Sequence, residues 1–279
     1  MKELHEGVAV ITGAASGIGL ALARRAAREG MRLVLADINA ENLKVASAEL
    51  ELPSDRLHLS TVDVSREDDV KRLADEAFAQ FGAVNLLCNN AGIGLTRLTW
   101  EYTIADWEWV LGVDLWSVIY SVHHFLPRML AQNNESHIVN TASAAGLLST
   151  PGMAPYNVSK HGVVTLSETL YAELTAQSAR VGVSVLCPAW VPTNIRQSAR
   201  ARPERFGTAA PPSEASVAYQ ARSDQAIQSG RLTADDMANA VFHAVSENRF
   251  YVIPHRKLSH AVRTRMEDII EARKPTSLG

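Results

Sequence analysis

Tyr156 and Lys160 stand four residues apart in Tyr-Asn-Val-Ser-Lys, inside a stretch whose pattern predicts a helix. That spacing puts both side chains on one helical face. An ammonium beside a phenol favours the phenolate and lowers a pKa that is ordinarily about 10. A phenol tuned this way serves as general acid or base near neutral pH. The pair alone is weak evidence, because many surface helices carry a tyrosine and a lysine at this distance. Ser143 strengthens it. It follows a predicted strand, so its hydroxyl can enter the same cleft and hydrogen-bond a substrate oxygen. Ser149 and Ser159 are read as loop and helix-surface groups.

Residues 8–19 supply a second kind of chemistry. A β-branched and aliphatic run ends in Gly13-x-x-x-Gly17-x-Gly19 and feeds an alanine-rich helix over 20–28. Strand, glycine turn and helix together make a phosphate site: the turn needs glycine backbone angles, and the amides at the helix N-terminus face the anion. Asp37 lies 18 residues past Gly19, at the end of the next predicted strand. A carboxylate there accepts hydrogen bonds from both hydroxyls of an adenosine ribose and repels a 2′-phosphate. No arginine or lysine stands at Ser16 or Ile38 to neutralise such a phosphate. The expected cofactor is therefore NAD rather than NADP. The plainer reading of Asp37 is a cap for the following helix, a task Asn39 can perform instead.

The elements that must position these groups alternate along the chain. Strands are expected at 8–12, 31–36, 56–62, 84–88, 137–141, 181–186 and 250–253. Between them the pattern predicts helices over 40–50, from a Ser65 cap to residue 81, over 104–131 with a kink at Pro127, and over 153–179. A further helix runs from a Thr233 cap to residue 246. The fold class is α/β: a doubly wound parallel sheet with helices on both faces. Residues 1–279 read as one domain. Residues 194–230, polar and arginine-rich, form a substrate-side insertion or lid with short helical pieces. Residues 257–279 form a helical tail, with Leu258, Val262, Met266, Ile269 and Ile270 on one face. Ligands of such sheets bind beyond the carboxyl ends of the strands. That rule nominates the glycine turn, Asp37, residues 63–64, 89–92, 142–152 and 188–193.

Composition narrows the partners. With 47% hydrophobic residues the chain can bury a large core. A net charge of −3 without a basic run argues against nucleic acid. No apolar stretch reaches the length that spans a bilayer. Residues 1–7 do not resemble a signal peptide. Two cysteines, Cys88 and Cys187, end apolar runs and read as reduced core residues, so a cytoplasmic location is expected.

Taken together, these motifs resemble the short-chain dehydrogenase/reductase family. The pieces are Thr12-Gly13-x-x-x-Gly17-Ile18-Gly19, Asp63-Val64, Asn89-Asn90-Ala91-Gly92, Ser143, Tyr156-x-x-x-Lys160 and the run from Cys187 through Pro188, Ala189, Trp190, Val191 and Pro192 to Thr193. They cover about residues 5–255, in the family's order and spacing. The resemblance implies a Rossmann-like fold with seven strands in the order 3-2-1-4-5-6-7, and hydride transfer between a nicotinamide and a hydroxyl or carbonyl carbon. It implies that Tyr156 is the acid/base, that Lys160 tunes it and holds the nicotinamide ribose, and that Ser143 steadies the substrate oxygen. It places Asp63 and Val64 at the adenine, Asn90, Ala91 and Gly92 along a ribose, and Val191 and Thr193 at the nicotinamide. It also implies a homodimer or homotetramer. Two positions depart from the pattern. Asp114 stands where an asparagine usually holds a proton-relay water, and its charge would offset that of Lys160. Ala189 stands where glycine is usual.

Several other residues have plainer readings. His123-His124 is expected to be structural, because neighbours on a helix do not converge on one ion, and no metal site is expected. Trp100, Trp107, Trp109 and Trp116 read as packing or subunit interface. Trp190 either walls the substrate pocket or packs in the core. Leu95, Leu147, Leu148 and Met153 would add apolar surface to that pocket. Arg196, Arg200, Arg202 and Arg205 read as a solvated lid surface, with binding of an anionic substrate as the alternative. The expected activity is NAD-dependent oxidation of a bulky, lipophilic secondary alcohol (terpenoid, steroid-like or aryl) to a ketone. A carbonyl reductase running in reverse and a catalytically idle NAD-binding sensor or scaffold are the alternatives.

Overall fold

Residues 8–12 are all β-branched or small, and they extend into β1 (Val8–Thr12), the centre of the sheet. Alternate side chains of a strand face opposite ways. Val8 and Val10 join the core on one face, while Ala9 and Ile11 join the core on the other. In the computed structural model, which describes residues 4–208 and 211–276, β1 is flanked by β2 (Arg32–Asp37) and β4 (Leu86–Asn89). With β3 (Leu57–Thr61), β5 (Ser136–Thr141), β6 (Val181–Leu186) and β7 (Tyr251–Val252) they form one parallel seven-stranded sheet in the order β3-β2-β1-β4-β5-β6-β7. This is the Rossmann-like arrangement expected from the motifs.

Helices cover both faces. α1 (Gly17–Arg28), α2 (Ala40–Ala48) and α8 (Ala234–Ser246) pack on one side, bringing Leu22, Leu43 and Phe242 onto Ile11, Leu33 and Leu35. α3 (Glu67–Phe81), α4 (Ile104–Leu111), α5 (Ser117–Ala131) and α6 (Ala154–Ala176) pack on the other. Thr233 caps α8 in a capping box with Asp236, as the sequence predicts, and Gly82 ends α3 in the left-handed region.

The structure corrects four expectations. The stretch 104–131 is not one helix: residues Gly112–Trp116 form a π-turn between α4 and α5. Ser65 does not cap α3. Arg66 holds that position, and the Ser65 hydroxyl turns back to Asp63. The insertion contains a full helix, α7 (Glu214–Gln228), besides the short turns Asn194–Ala201 and Glu204–Phe206. Only Ser216 and Ile227 of α7 are buried, so it lacks the apolar stripe that reveals a helix in sequence. In the tail helix α9 (Leu258–Ile270), Leu258 is buried, whereas Met266, Ile269 and Ile270 of its expected apolar face are exposed.

Candidate active site

The ends of β1, β4 and β5 are tied together before any ligand is considered. Thr12 Oγ1 accepts from the amides of Asn90 (3.0 Å) and Ala91 (3.1 Å), and Asn90 Nδ2 donates to Thr12 O at 3.0 Å. This clamp makes the glycine turn close-fitting. Gly13 has φ +66° and a side chain there would meet Ala91 Cα at 2.9 Å. A Cβ on Gly19 would lie 2.0 Å from Gly13 O. Ser16 occupies the cap of α1 but makes no side-chain capping bond, and the first turn holds no acidic residue. The leading amides of α1 are thus left for an anion.

Asp37 contributes in a way the sequence did not reveal. Its Oδ2 accepts from Ala15 N at 3.1 Å and its Oδ1 from Asn39 N at 3.0 Å, so it holds the glycine turn as well as facing the groove. A carboxylate offers about four acceptor sites, so capacity is left for ribose hydroxyls. Asn39, not Asp37, caps α2 through Asn42 N.

Farther along the sheet edge, Ser143, Tyr156 and Lys160 come together with Asp114, and all four are buried. Ser143 begins the turn after β5. Its hydroxyl accepts from Ala145 N (3.1 Å) and donates to Pro188 O (3.4 Å). Lys160 Nζ donates to Thr141 O at 3.1 Å and lies 5.5 Å from the centre of the Tyr156 ring. The π-turn delivers Asp114. One oxygen accepts from Ile93 N at 2.8 Å, and the other lies 3.9 Å from Lys160 Nζ without a hydrogen bond. Gly92 sits over the pair, where a Cβ would be 3.4 Å from both.

Burial dominates the electrostatics. It raises the Tyr156 phenol above its usual value, and the Asp114 charge raises it further, while the Ser143 hydroxyl lowers it. Burial likewise pushes Asp114 up to about 6, against the opposing pull of Lys160 and the Ile93 amide. The expected lowering of the phenol by Lys160 does not dominate. Lys160 points at Thr141 and Asp114, and the carboxylate offsets its charge.

This arrangement has known counterparts. Residues 7–204 match the family model described as short chain dehydrogenase. The chain is 33% identical over 273 residues to the CLA biosynthesis dehydrogenase/reductase of Lactiplantibacillus plantarum, covering 97% of this chain and 95% of that protein. It is also 33% identical over 268 residues to the 1-deoxy-11-beta-hydroxypentalenate dehydrogenase of Streptomyces exfoliatus, covering 95% and 89%. A crystal structure of a short chain dehydrogenase/reductase from Burkholderia phymatum in complex with NAD superposes with a TM-score of 0.96 at 45% identity, covering 99% of each chain. The chain belongs to the short-chain dehydrogenases. It is an oxidoreductase of the kind that acts on alcohols.

Within this short-chain dehydrogenase, other predicted residues fall in varied places. Asp63 lies two residues past β3, accepts from Ser65 and pairs with Arg205 Nη1 at 2.8 Å. Val64 and Val191 are buried, each in the core of a different sheet face, so Val191 can present only its backbone to a ligand. Ile18 packs at the edge of the second core. Thr193 closes over the glycine turn: a Cβ on Gly17 would touch it at 3.4 Å. Ala189 is accommodated, its amide donating to His255 Nδ1 at 3.2 Å.

The apolar wall differs from expectation. Met153, Ala145 and Ile195 cluster with Tyr156. Leu95 packs on the α3–α5 core, Leu147 on a small cluster of α6 and β6, and Leu148 is half-buried. Trp190 is 37% exposed rather than a core residue. Ile195 was missed because it lies in the polar insertion. Ser159 is fully buried and donates to Tyr156 O, contrary to its reading as a surface group. Nor is Arg202 solvated. It is buried against Asp106 at 2.6 Å and lies over Trp109 at 5.1 Å. Arg200 stays exposed on Gln197, and the Arg196 side chain lies outside the described residues.

Proposed function

We propose that the protein is an NAD-dependent dehydrogenase that oxidises a bulky, lipophilic secondary alcohol to a ketone. One observation carries the reading: Tyr156, Ser143 and Lys160 converge at the strand ends that also carry the glycine turn and Asp37. The groove fits the cofactor class. Glycines stand where a Cβ would collide, and the α1 amides lack a side-chain cap. Gly13, Ser16, Gly17, Ile18 and Gly19 would face the pyrophosphate, Asp37 the adenosine ribose, Asp63 and Val64 the adenine, and Asn90, Ala91, Gly92 and Thr193 the remaining length. The carboxylate of Asp37 and the NAD-bound relative support NAD over NADP. When bound, the nicotinamide supplies the hydride acceptor.

Ser143 holds the substrate hydroxyl, and Tyr156 removes its proton as the carbon gives up its hydride. Lys160, held by Thr141 O, stabilises the phenolate. Met153, Ala145 and Ile195 exclude water from the phenol and favour an apolar substrate beside it. That wall, and a relative that bears the name of a hydroxypentalenate dehydrogenase, support the lipophilic class.

The test is nicotinamide absorbance over a panel of lipophilic secondary alcohols, with NAD⁺ and NADP⁺ in parallel. Turnover with NAD⁺ is expected, and Tyr156→Phe should lower it by about 10²-fold or more while NAD⁺ binding persists. NAD⁺ binding without turnover across the panel would replace this reading with that of an idle binding protein.

A further inference from the structure

His123 and His124 do not face the catalytic cleft. They lie on α5 beside the start of α3, and the sequence gives no reason for both. Contrary to the expectation that helix neighbours diverge, the two rings meet edge to face with centroids 4.8 Å apart, and Glu67 joins them from α3. We propose that Glu67, His123 and His124 bind a divalent transition-metal ion of the zinc type. Their candidate ligand atoms all lie within 4.8 Å of one another.

The contact between His124 and Glu67 carries the argument further. Nε2 of His124 is 3.3 Å from Glu67 Oε1, yet that nitrogen is buried and makes no hydrogen bond. The separation suits a hydrogen bond and the direction does not. Two ligands held at about 2.0–2.1 Å from one zinc ion, at tetrahedral angles, stand roughly 3.4 Å apart. The 3.3 Å separation matches the edge expected between two ligands of a common ion. His123 is exposed and its ligand atom lies within 4.8 Å of the other two, so a rotation of its side chain would be needed to close the third position. Glu67 is exposed too, so water completes the coordination. Two imidazoles and one carboxylate, with no thiolate, suit zinc, cobalt, nickel or copper better than calcium or magnesium. Because the ligands come from two helices, the bound ion would cross-link α3 to α5 and stabilise the folded state.

Tag-free, chelator-treated protein should be titrated with ZnCl₂ by calorimetry, with CoCl₂ followed by visible absorption. One ion per chain and a rise in Tm are expected. His123→Gln, His124→Gln and Glu67→Gln should each weaken binding at least about tenfold, a loss that removing even the groups supporting metal ligands can produce. Metal-free turnover should be the same in these variants as in wild type, which verifies their folding. Absence of saturable binding overturns the proposal. So does unchanged affinity in the variants, which would assign the metal to other histidines among the nine in the chain.

Discussion

Tyr156 sits where its own ionisation is opposed. Burial and the Asp114 carboxylate raise its phenol, and Ser143 is the group that lowers it. Asp114 is itself pushed up to about 6 by burial, so it is charged over the range in which a dehydrogenase would be assayed. Removing that charge should therefore favour the phenolate. Asparagine can still accept from Ile93 N, so the substitution keeps the carboxamide where the carboxylate was. Asp114→Asn is expected to retain turnover and to move the rising limb of the oxidation rate, which follows ionisation of the Tyr156 phenol, to lower pH. A rate profile measured from pH 5 to 11 checks this. Near-total loss of activity in a folded variant would show that Asp114 acts through its charge. The sequence made the presence of Asp114 legible, together with its departure from the family's asparagine. It did not show the orphaned oxygen, which depends on how the chain turns at residue 114.

Elements set these positions, and here the sequence was an uneven guide. β6 matches its expected bounds to the residue, because a buried strand between the polar turn at 177–180 and Cys187-Pro188 has little freedom. The π-turn at Gly112–Trp116 was invisible: one extra residue in a helical turn barely disturbs apolar periodicity over a long helix. The helix of the insertion, α7, is hidden for the opposite reason. The insertion's contacts are ionic and few side chains are buried, so periodicity had nothing to report. Arg202 binds Asp106 and the carbonyls of Phe206 and Gly207, while Arg205 reaches Asp63 and Ser65. Together they staple the insertion to α4 and to the segment that follows β3. The Arg202–Asp106 pair is almost wholly buried, so losing one partner strands a charge. Arg202→Ala should cost about 3 kcal/mol in urea unfolding and open residues 194–230 to limited proteolysis. Unchanged stability together with an unchanged cleavage pattern would mean that the staple holds nothing.

Across the whole molecule, catalytic groups lie at one edge of the sheet, and the opposite edge carries a different liability. His137 is the second residue of β5, fully buried, with Nε2 on Ser184 Oγ at 2.8 Å. That hydroxyl donates to Arg249 O at 2.6 Å, so it accepts from the imidazole and joins β5 to β6 and the approach to β7. Nδ1 is then a bare acceptor, buried without a partner. Protonating it would place a second N–H and a charge in the interior. Burial accordingly pushes the His137 pKa down to about 3 from 6.5. Between those values the unfolded chain takes up a proton that the folded chain refuses. The contribution is complete above about pH 6.5 and is lost as the pH falls toward 3, at about 1.4 kcal/mol per pH unit. By pH 5 this one group should remove about 2 kcal/mol of stability. His137→Gln keeps an N–H for Ser184 and does not titrate, so its stability should fall less over the same interval. Urea unfolding of both proteins at pH 7 and pH 5 measures the difference. Equal losses would assign the acid sensitivity to other groups and leave the strand junction at Ser184 indifferent to protonation.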